Sequence, residues 1–228
     1  MFRRILTISL LISTACAAQD YVGRYDVYGG FTYLDSSNVN LAQRGFHFQT
    51  GFRPRRWLSL GFDYSVSTGH SDITPSLLTT QLQQQLGAVI TGLAAAGQIP
   101  PGYALVVPFD STTQTFAAGP QLDIHHFHKV TLFVRPSIGA IHEDATLRPA
   151  DPIAAAIATQ LAPSGQKTDW TGFYGFGGGA TFRVTPHFGI RAQVDFVHNH
   201  LFSDLLREGR NTVRLSIGPA FQFGHNVQ

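Results

Sequence analysis

Residues 213–223 read VRLSIGPAFQF, and their side chains alternate between apolar and small or polar types. Because successive side chains of a β-strand point to opposite faces, this pattern predicts a strand with one apolar face. That face would carry Val213, Leu215, Ile217, Phe221 and Phe223. A run of about ten residues is the length that a tilted strand needs to cross a bilayer, whereas strands of soluble proteins average about five or six.

The same alternation recurs along the chain and predicts eight strands. They cover residues 24–33, 46–53, 58–66, 115–124, 130–139, 174–182, 188–196 and 213–223. The connections alternate between short turns and longer segments, the longest being 68–113 and 142–170. This layout is typical of an all-β fold, an eight-stranded antiparallel transmembrane β-barrel with short periplasmic turns and long extracellular loops. An even strand number lets the sheet close without an unpaired edge in lipid.

Composition excludes several other classes of protein. The chain has 228 residues, of which 13% are charged, and a formal net charge of +2. So little charge argues against a disordered polyelectrolyte and against a nucleic-acid partner. A single Cys excludes a disulfide framework and a cysteine-based zinc site. The mean hydropathy of +0.02 argues against a bundle of membrane helices, but alternating strands average to such a value as well.

The first 18 residues, MFRRILTISLLISTACAA, predict a secretory signal peptide. Arg3 and Arg4 precede an apolar core, and small residues lead to the expected cleavage after Ala18. The barrel domain would then span residues 19–228, with 14 basic and 14 acidic residues. The alternative is a lipoprotein, because the segment that ends at Cys16 is a weak lipobox.

The polar faces of the strands carry balanced charge. The interior of an eight-stranded barrel is only wide enough for side chains to fill, and charges buried there have to pair. We therefore predict a lumen charge network rather than an open pore. Its members would be Arg24, Asp26, Asp63, Asp123, Arg135, Arg191, Asp195 and Arg214. The alternative fold, a soluble β-sandwich with one hydrated face, would not need such long strands or a Phe-rich outer face.

Three prolines interrupt the predicted strands. Pro120, Pro136 and Pro219 each lack the N–H that a ladder hydrogen bond requires. We expect bulges or local gaps in the sheet at these positions.

Three segments resemble the outer-membrane β-barrel family related to the membrane domain of outer membrane protein A. They are residues 25–33 (YDVYGGFTY), 185–191 (TPHFGIR) and 213–223. The resemblance implies a β-barrel in the bacterial outer membrane. We also expect a monomer in contact with outer-membrane lipid and lipopolysaccharide, and no cofactor. The resemblance also implies that the last strand, with Phe221 and Phe223, is the assembly signal for the barrel assembly machinery. The family signal ends on a terminal aromatic residue, whereas five residues follow Phe223 here.

Two loop segments have helical patterns. Residues 74–97 would begin at an N-cap Thr74 followed by Pro75 and end at Gly97, with leucines at helical spacing. Residues 151–162 repeat this arrangement with Asp151 as the cap. We expect the two helices to pack on each other over the barrel mouth; the alternative is a surface for a partner or for lipid.

Histidines are the remaining candidates for chemistry. The ends of the strands on the long-loop side carry His70, His142, His198 and His200, with Asp72, Glu143, Asp144 and Asp204 near them in sequence. A metal site, or a lipid-cleaving site with Ser71 as the nucleophile, would need these groups to converge. Since their strands are not mutual neighbours, we predict no catalytic, cofactor or metal site. A second cluster, His125, His126 and His128, is interpreted as a polar periplasmic turn rather than a weak metal site.

The sequence therefore predicts a structural or surface-interaction barrel without enzymatic activity. Loops 68–113 and 142–170 would form its contact surface. A small porin or transport channel and a lipopolysaccharide-modifying barrel enzyme are the alternatives.

Overall fold

A computed structural model describes residues 21–100, 102–127 and 129–227. The eight strands are β1 (Gly23–Ser36), β2 (Leu41–Arg55), β3 (Leu58–Ile73), β4 (Val107–Ile124), β5 (Val130–Leu147), β6 (Gln166–Arg183), β7 (Phe188–Asn199) and β8 (Arg210–Asn226). The α-helices are α1 (Thr80–Ala95) and α2 (Pro152–Leu161). In these described ranges, no helix has the length and hydropathy needed to cross a membrane. The expected signal peptide and its cleavage after Ala18 lie outside the described residues.

The strands form a closed antiparallel barrel in chain order. Each strand pairs with the next, and β8 pairs with β1 to complete the ring. Phe31 shows how the ring is closed, because it faces Phe46 of β2 on one side and Ile217 of β8 on the other. The predicted fold class is confirmed.

The strands are longer than the sequence pattern indicates. They span 12 to 18 residues rather than about ten, and most of the added length lies on the extracellular side. The predicted loop 68–113 shrinks to residues 74–106, and 142–170 shrinks to 148–165. Above the membrane the outward side chains are polar, as at Thr68 and Thr112, so the apolar–polar alternation fades although the strands continue.

The three prolines leave gaps in the ladders without changing the register. Between β4 and β5, pairing stops after Ala118 and resumes at Leu122, and Pro120 and Pro136 lie opposite each other in this gap. Between β8 and β1, the ladder is interrupted at Pro219. The expected gaps are confirmed, whereas the register shifts occur elsewhere, at the beginning of β1 and the end of β2.

The outer wall of the barrel is an apolar band rich in aromatic side chains. Phe31 is 68% exposed and Ile138 is 70% exposed. A water-soluble protein would not expose apolar side chains to this extent around a whole barrel. Phe31 and Phe46 pack with ring centroids 5.0 Å apart, and Tyr25 contacts Phe52 and Phe223 in the same way. This band is the surface that a transmembrane barrel presents to lipid.

Helices α1 and α2 pack together over the extracellular mouth, as expected. Leu78, Leu86 and Val107 form an apolar cluster with Ala154 and Ile157 of α2. The predicted beginning of the first helix is wrong: Thr74 and Pro75 belong to a short 3₁₀ turn, and α1 begins after Thr79. This turn connects β3 to the cap and is separate from α1.

The barrel interior and its extracellular cap

The middle of the barrel interior holds a network of buried charges around Asp195. Arg214 Nη2 lies 2.8 Å from Asp195 Oδ2, and Arg135 Nε lies 3.2 Å from Asp195 Oδ1. Arg135 also pairs with Asp63 at 2.5 Å, and Asp63 lies 3.0 Å from His47 Nε2. All five side chains are buried. Because they come from five different strands, β2, β3, β5, β7 and β8, these ion pairs tie opposite walls of the barrel together.

A second group of contacts surrounds Arg191, whose side chain is almost fully buried. Its guanidinium donates to Asp26 Oδ2 at 2.8 Å and to Gln49 Oε1 at 3.0 Å. The guanidinium carbon also lies 5.5 Å from the ring centroid of Tyr28 and 5.1 Å from that of Phe133. The carboxylate, the amide and the two aromatic faces together compensate the buried charge.

A chain of hydrogen bonds continues from Gln49 toward the periplasmic end. Gln49 donates to Gln121 at 3.1 Å, and Gln121 donates to Asp123 at 2.7 Å. Asp123 pairs with Arg53 at 3.0 Å, and Arg53 donates to the carbonyl of Gly23 at 2.7 Å. The interior is thus crossed by polar contacts down to its periplasmic end.

A third pair closes the interior on the extracellular side. Arg210 Nη1 lies 2.5 Å from Glu143 Oε2, and both side chains are buried. Ser111 donates to the other oxygen of Glu143 at 2.7 Å, and Gln43 donates to Ser111 at 3.0 Å. The carboxylate is therefore held directly by two strands besides its own, β4 and β8, and β2 supports it through Ser111.

The structure brings seven of the eight sequence-predicted network residues together in the interior, and Arg24 is the exception. Arg24 is exposed on the outer side, with its guanidinium carbon 6.0 Å from the ring centroid of Phe52. The register between β1 and β8 shifts between Gly23 and Tyr25, so the alternation that points Asp26 inward does not extend to Arg24.

Four charged or titratable members were missed by the sequence analysis: His47, Arg53, Glu143 and Arg210. A signal for them is present, since His47 and Arg53 share the inward parity of β2 with Gln49. The alternation places Glu143 and Arg210 in loops because the predicted strands end before these residues. Extending the inward parity of β5 and β8 by a few residues would have found both.

Around and above the Arg210–Glu143 pair, the upper interior and the mouth are filled by apolar side chains that we call the plug. The plug comprises Val39, Leu41, Phe109, Ala117, Ile141, Ala145, Phe173, Val197, Leu201 and Phe202. Phe202 enters from the loop between β7 and β8 with a left-handed backbone (φ 54°), an unusual conformation for a bulky residue. Its N–H donates to Asp169 Oδ2 at 2.5 Å, which holds the loop in this conformation. A cavity of only about 50 Å³ remains between plug and cap.

Asp151 fixes the beginning of α2, as predicted. Its carboxylate accepts hydrogen bonds from the N–H groups of Ala154 and Ile153 at 2.8 and 2.9 Å, and from the Tyr103 hydroxyl at 2.8 Å. These bonds, the one from Ala154 first, hold the pKa of Asp151 below its ordinary value. The pKa of Tyr103 is raised, mainly by desolvation and then by its bond to Asp151. The contact joins the segment after α1 to the beginning of α2.

The rim histidines do not converge on a common site. His142 stacks on Trp170 with ring centroids 4.5 Å apart, whereas His198 lies 2.7 Å from Asn211 Oδ1 and contacts His200. Ser71 donates to backbone carbonyls, which leaves its hydroxyl without a basic side chain. Within the described ranges, no three His, Cys, Asp or Glu residues are placed to hold a metal ion.

The histidine turn between β4 and β5 is anchored through His125. Its Nε2 faces the carbonyl of Arg56 at 2.8 Å, and its Nδ1 lies 3.2 Å from Thr131 Oγ1. Both ring nitrogens therefore have protein partners. Burial of the ring lowers the pKa of His125. His126 packs edge-on against Phe127, and His128 lies outside the described residues.

A closed barrel with an apolar outer wall and a polar, ion-paired interior is the construction of an outer-membrane β-barrel. The protein is such a barrel, located in the bacterial outer membrane.

Comparison with solved structures finds the same architecture. The chain is similar to Neisserial surface protein A, at 11% identity and a TM-score of 0.54, over 87% of this chain and 96% of the other. It is also similar to the attachment invasion locus protein Ail of Yersinia pestis (13% identity, 88% and 99% covered, TM-score 0.49). Outer membrane protein OprG from Pseudomonas aeruginosa gives 10% identity, 91% and 99% coverage and a TM-score of 0.49. No protein-family model and no curated protein matches the chain. At such identities the likeness concerns the fold.

Proposed function

We propose that the protein is a non-conducting barrel whose extracellular cap is a contact surface. The observation that carries this proposal is the filled interior. Ion pairs cross the barrel at three levels, marked by Arg53–Asp123, Arg135–Asp195 and Arg210–Glu143, and the plug fills the space around and above the last of them. A hydrated path for ions would have to break several of these buried pairs, each of which is costly to separate.

The exposed face of α1 supports a role in contact with other macromolecules. It carries uncharged side chains such as Gln84, Ala88 and Thr91, and residues 73–109 contain no charged residue. Hydration of such a surface is weaker than that of a charged loop, so it costs less to bury against a partner. Its apolar stripe, including Leu86, is already used against α2.

The separated rim histidines favour a protein without catalytic activity, since a nucleophile, a base and an orienting group would have to lie in hydrogen-bond reach. The proposed partners are outer-membrane lipid and lipopolysaccharide around the wall and the barrel assembly machinery during biogenesis, the latter through β8 with Phe221 and Phe223. We propose a monomer, because a closed ring leaves no strand edge for another copy.

Solute flux separates this proposal from the channel alternative. Liposomes that contain the refolded protein should swell in isotonic arabinose no faster than protein-free liposomes, whereas liposomes with an open porin swell rapidly. Swelling that increases with the amount of protein would reject the proposal.

The contact surface can be tested on living cells. Bacteria that display the wild-type protein should adhere to immobilised extracellular-matrix proteins or to one another, and the Ala88→Arg variant should lose this adherence by placing a charge on α1. Gln166→Arg is the matched control, because Gln166 is also exposed on the extracellular side but lies outside α1. Equal adherence of wild-type and Ala88→Arg cells would remove the role of α1.

A further inference from the structure

The outer wall contains a crevice across β7, β8, β1 and β2. It is an open depression of about 680 Å³, lined on the lipid side by Phe31, Tyr33, Phe46, Ala192, Leu215 and Ile217. The strand register explains its shape. Ala192 lies in one cross-strand row with Ile217, Phe31 and Phe46, and its methyl group is much smaller than those three side chains. The crevice therefore lies over the short side chain of Ala192, next to the longer side chains in the same row.

Arg44 lies at the extracellular end of this crevice. The next cross-strand row, one residue pair nearer the extracellular side, contains Leu215, Tyr33 and Arg44. Two residues along a strand correspond to about 7 Å, so the guanidinium lies roughly one row above the Phe31–Phe46 contact. On β3, Arg44 faces Thr68, which offers no negative charge.

Arg44 takes part in no ion pair within the described residues. Its side chain is exposed, and in the part of the chain that the structure describes no carboxylate lies within ion-pair distance of it. Asp35 of β1 accepts a hydrogen bond from Ser37 and forms no ion pair with Arg44. A charged side chain beside hydrocarbon is costly unless it reaches the headgroup region or an anion. Arg44 has an exposed position at the border of the apolar band, where headgroups of the outer leaflet lie.

We propose that this crevice is a binding site for a phosphorylated lipid of the outer leaflet, namely the lipid A part of lipopolysaccharide. One acyl chain lies in the crevice against Phe31, Phe46 and Ile217, and a phosphate pairs with Arg44. A guanidinium binds phosphate through two parallel hydrogen bonds, which fixes the orientation of the lipid as well as its charge. The site rests on the proposed contact of the wall with lipopolysaccharide, but it lies apart from the cap, so loss of lipid A binding and loss of cap-dependent adherence are separate outcomes.

Native mass spectrometry of the refolded barrel in detergent tests the proposal, with bisphosphorylated lipid A as the probe. The wild-type protein should retain one lipid A molecule, and Arg44→Gln should lower the retained fraction about tenfold, the loss expected for a charge-assisted hydrogen bond. Arg148→Gln is the matched control, because Arg148 is exposed above the membrane and pairs with Asp110. Retention by that variant should equal the wild-type value.

Two further experiments distinguish the contribution of the acyl chain to binding from that of the phosphate. Ala192→Phe fills the crevice and should reduce retention, whereas Ala180→Phe places the same ring on the outward face of β6 and should not. The wild-type protein should retain lipid A without phosphates as weakly as Arg44→Gln retains bisphosphorylated lipid A. Inorganic phosphate should not displace the bound lipid. Heat-modified migration on gels verifies that each variant folds. Equal retention by wild type and Arg44→Gln, or no retention by wild type, would overturn the proposal.

Discussion

The interior and the mouth of this barrel are closed by different chemistry. In the interior, charged side chains from the strands pair across the ring, as in Arg135 with Asp63 and Asp195. In the mouth, apolar side chains fill the space, and Leu201 and Phe202 reach it from a loop. Ion pairs depend on fixed directions and distances, so they lie on rigid strands. An apolar plug depends only on volume and can be supplied by a loop.

The interior should therefore be the more sensitive region to loss of one group. Asp195→Ala leaves Arg135 and Arg214 without their shared carboxylate, and breaking a buried pair costs about 3 to 5 kcal/mol. Urea unfolding from lipid vesicles measures this loss. The control is Asp110→Ala, which removes an exposed partner of Arg148 and should cost about 0 to 1 kcal/mol. Similar midpoints for the two variants would contradict the ionic account of the interior.

The plug should respond locally and somewhat less. Phe202→Ala removes a buried ring and should destabilise the plug by about 3 kcal/mol, in the range for a Phe-to-Ala change in a core. Hydrogen exchange should become faster in residues 200–209 and stay unchanged in the middle of β7. Phe127→Ala, at a ring that is 50% exposed in the opposite turn, is the control. Uniformly faster exchange throughout the barrel would mean that the plug and the interior are one unit.

The cap should weaken at acidic pH through Asp151. Because the pKa of this carboxyl is lowered in the folded cap, its stabilisation of α2 is present above the ordinary Asp value of about 3.9 and is lost as the pH falls through the lowered pKa. Amides of α2 should exchange several-fold faster at acidic pH, after correction for the intrinsic rate. Asp151→Asn keeps an N-cap acceptor and should abolish this dependence. If Asp151→Asn retained the pH dependence of exchange in α2, a group other than Asp151 would be its cause.

The smallest effect is expected at Arg24. Its exposed position on the outer side implies that Arg24→Gln changes the free energy of unfolding by no more than about 0.5 kcal/mol. Arg191→Gln, which leaves Asp26 unpaired in the interior, should cost several times more in the same urea titration. Equal losses for the two substitutions would place Arg24 in the network after all.

Period-two alternation was sufficient to predict the number, order and orientation of the strands. It predicted the inward position of Asp26 and Asp195 because the neighbours of each along the strand are apolar residues of the outer face, so the contrast between the two faces is large there. It failed at strand ends. Arg24 lies next to a register shift, and Glu143 lies where outward residues are no longer apolar. The register shift leaves no mark in the local pattern, whereas Glu143 keeps the inward parity of β5 and is found only if the strand is extended beyond its apolar part.

The partners within the network could not be predicted from the sequence. Alternation tells which side chains point inward, but not which of them meet across the ring. The pairing of Arg191 with Asp26 joins residues 165 positions apart and depends on how β7 and β1 are staggered on β8 when the ring closes. The plug was missed for a similar reason, since Phe202 reaches the mouth through a left-handed backbone that no sequence period encodes.

The central claim is that side chains close the interior, and single-channel conductance in planar bilayers tests it most directly. The wild-type protein should insert without conductance steps, because the ion pairs and the plug leave no hydrated path. Frequent, uniform steps with wild-type protein, unchanged when Phe202 is replaced by Ala, would show an open lumen and contradict the account.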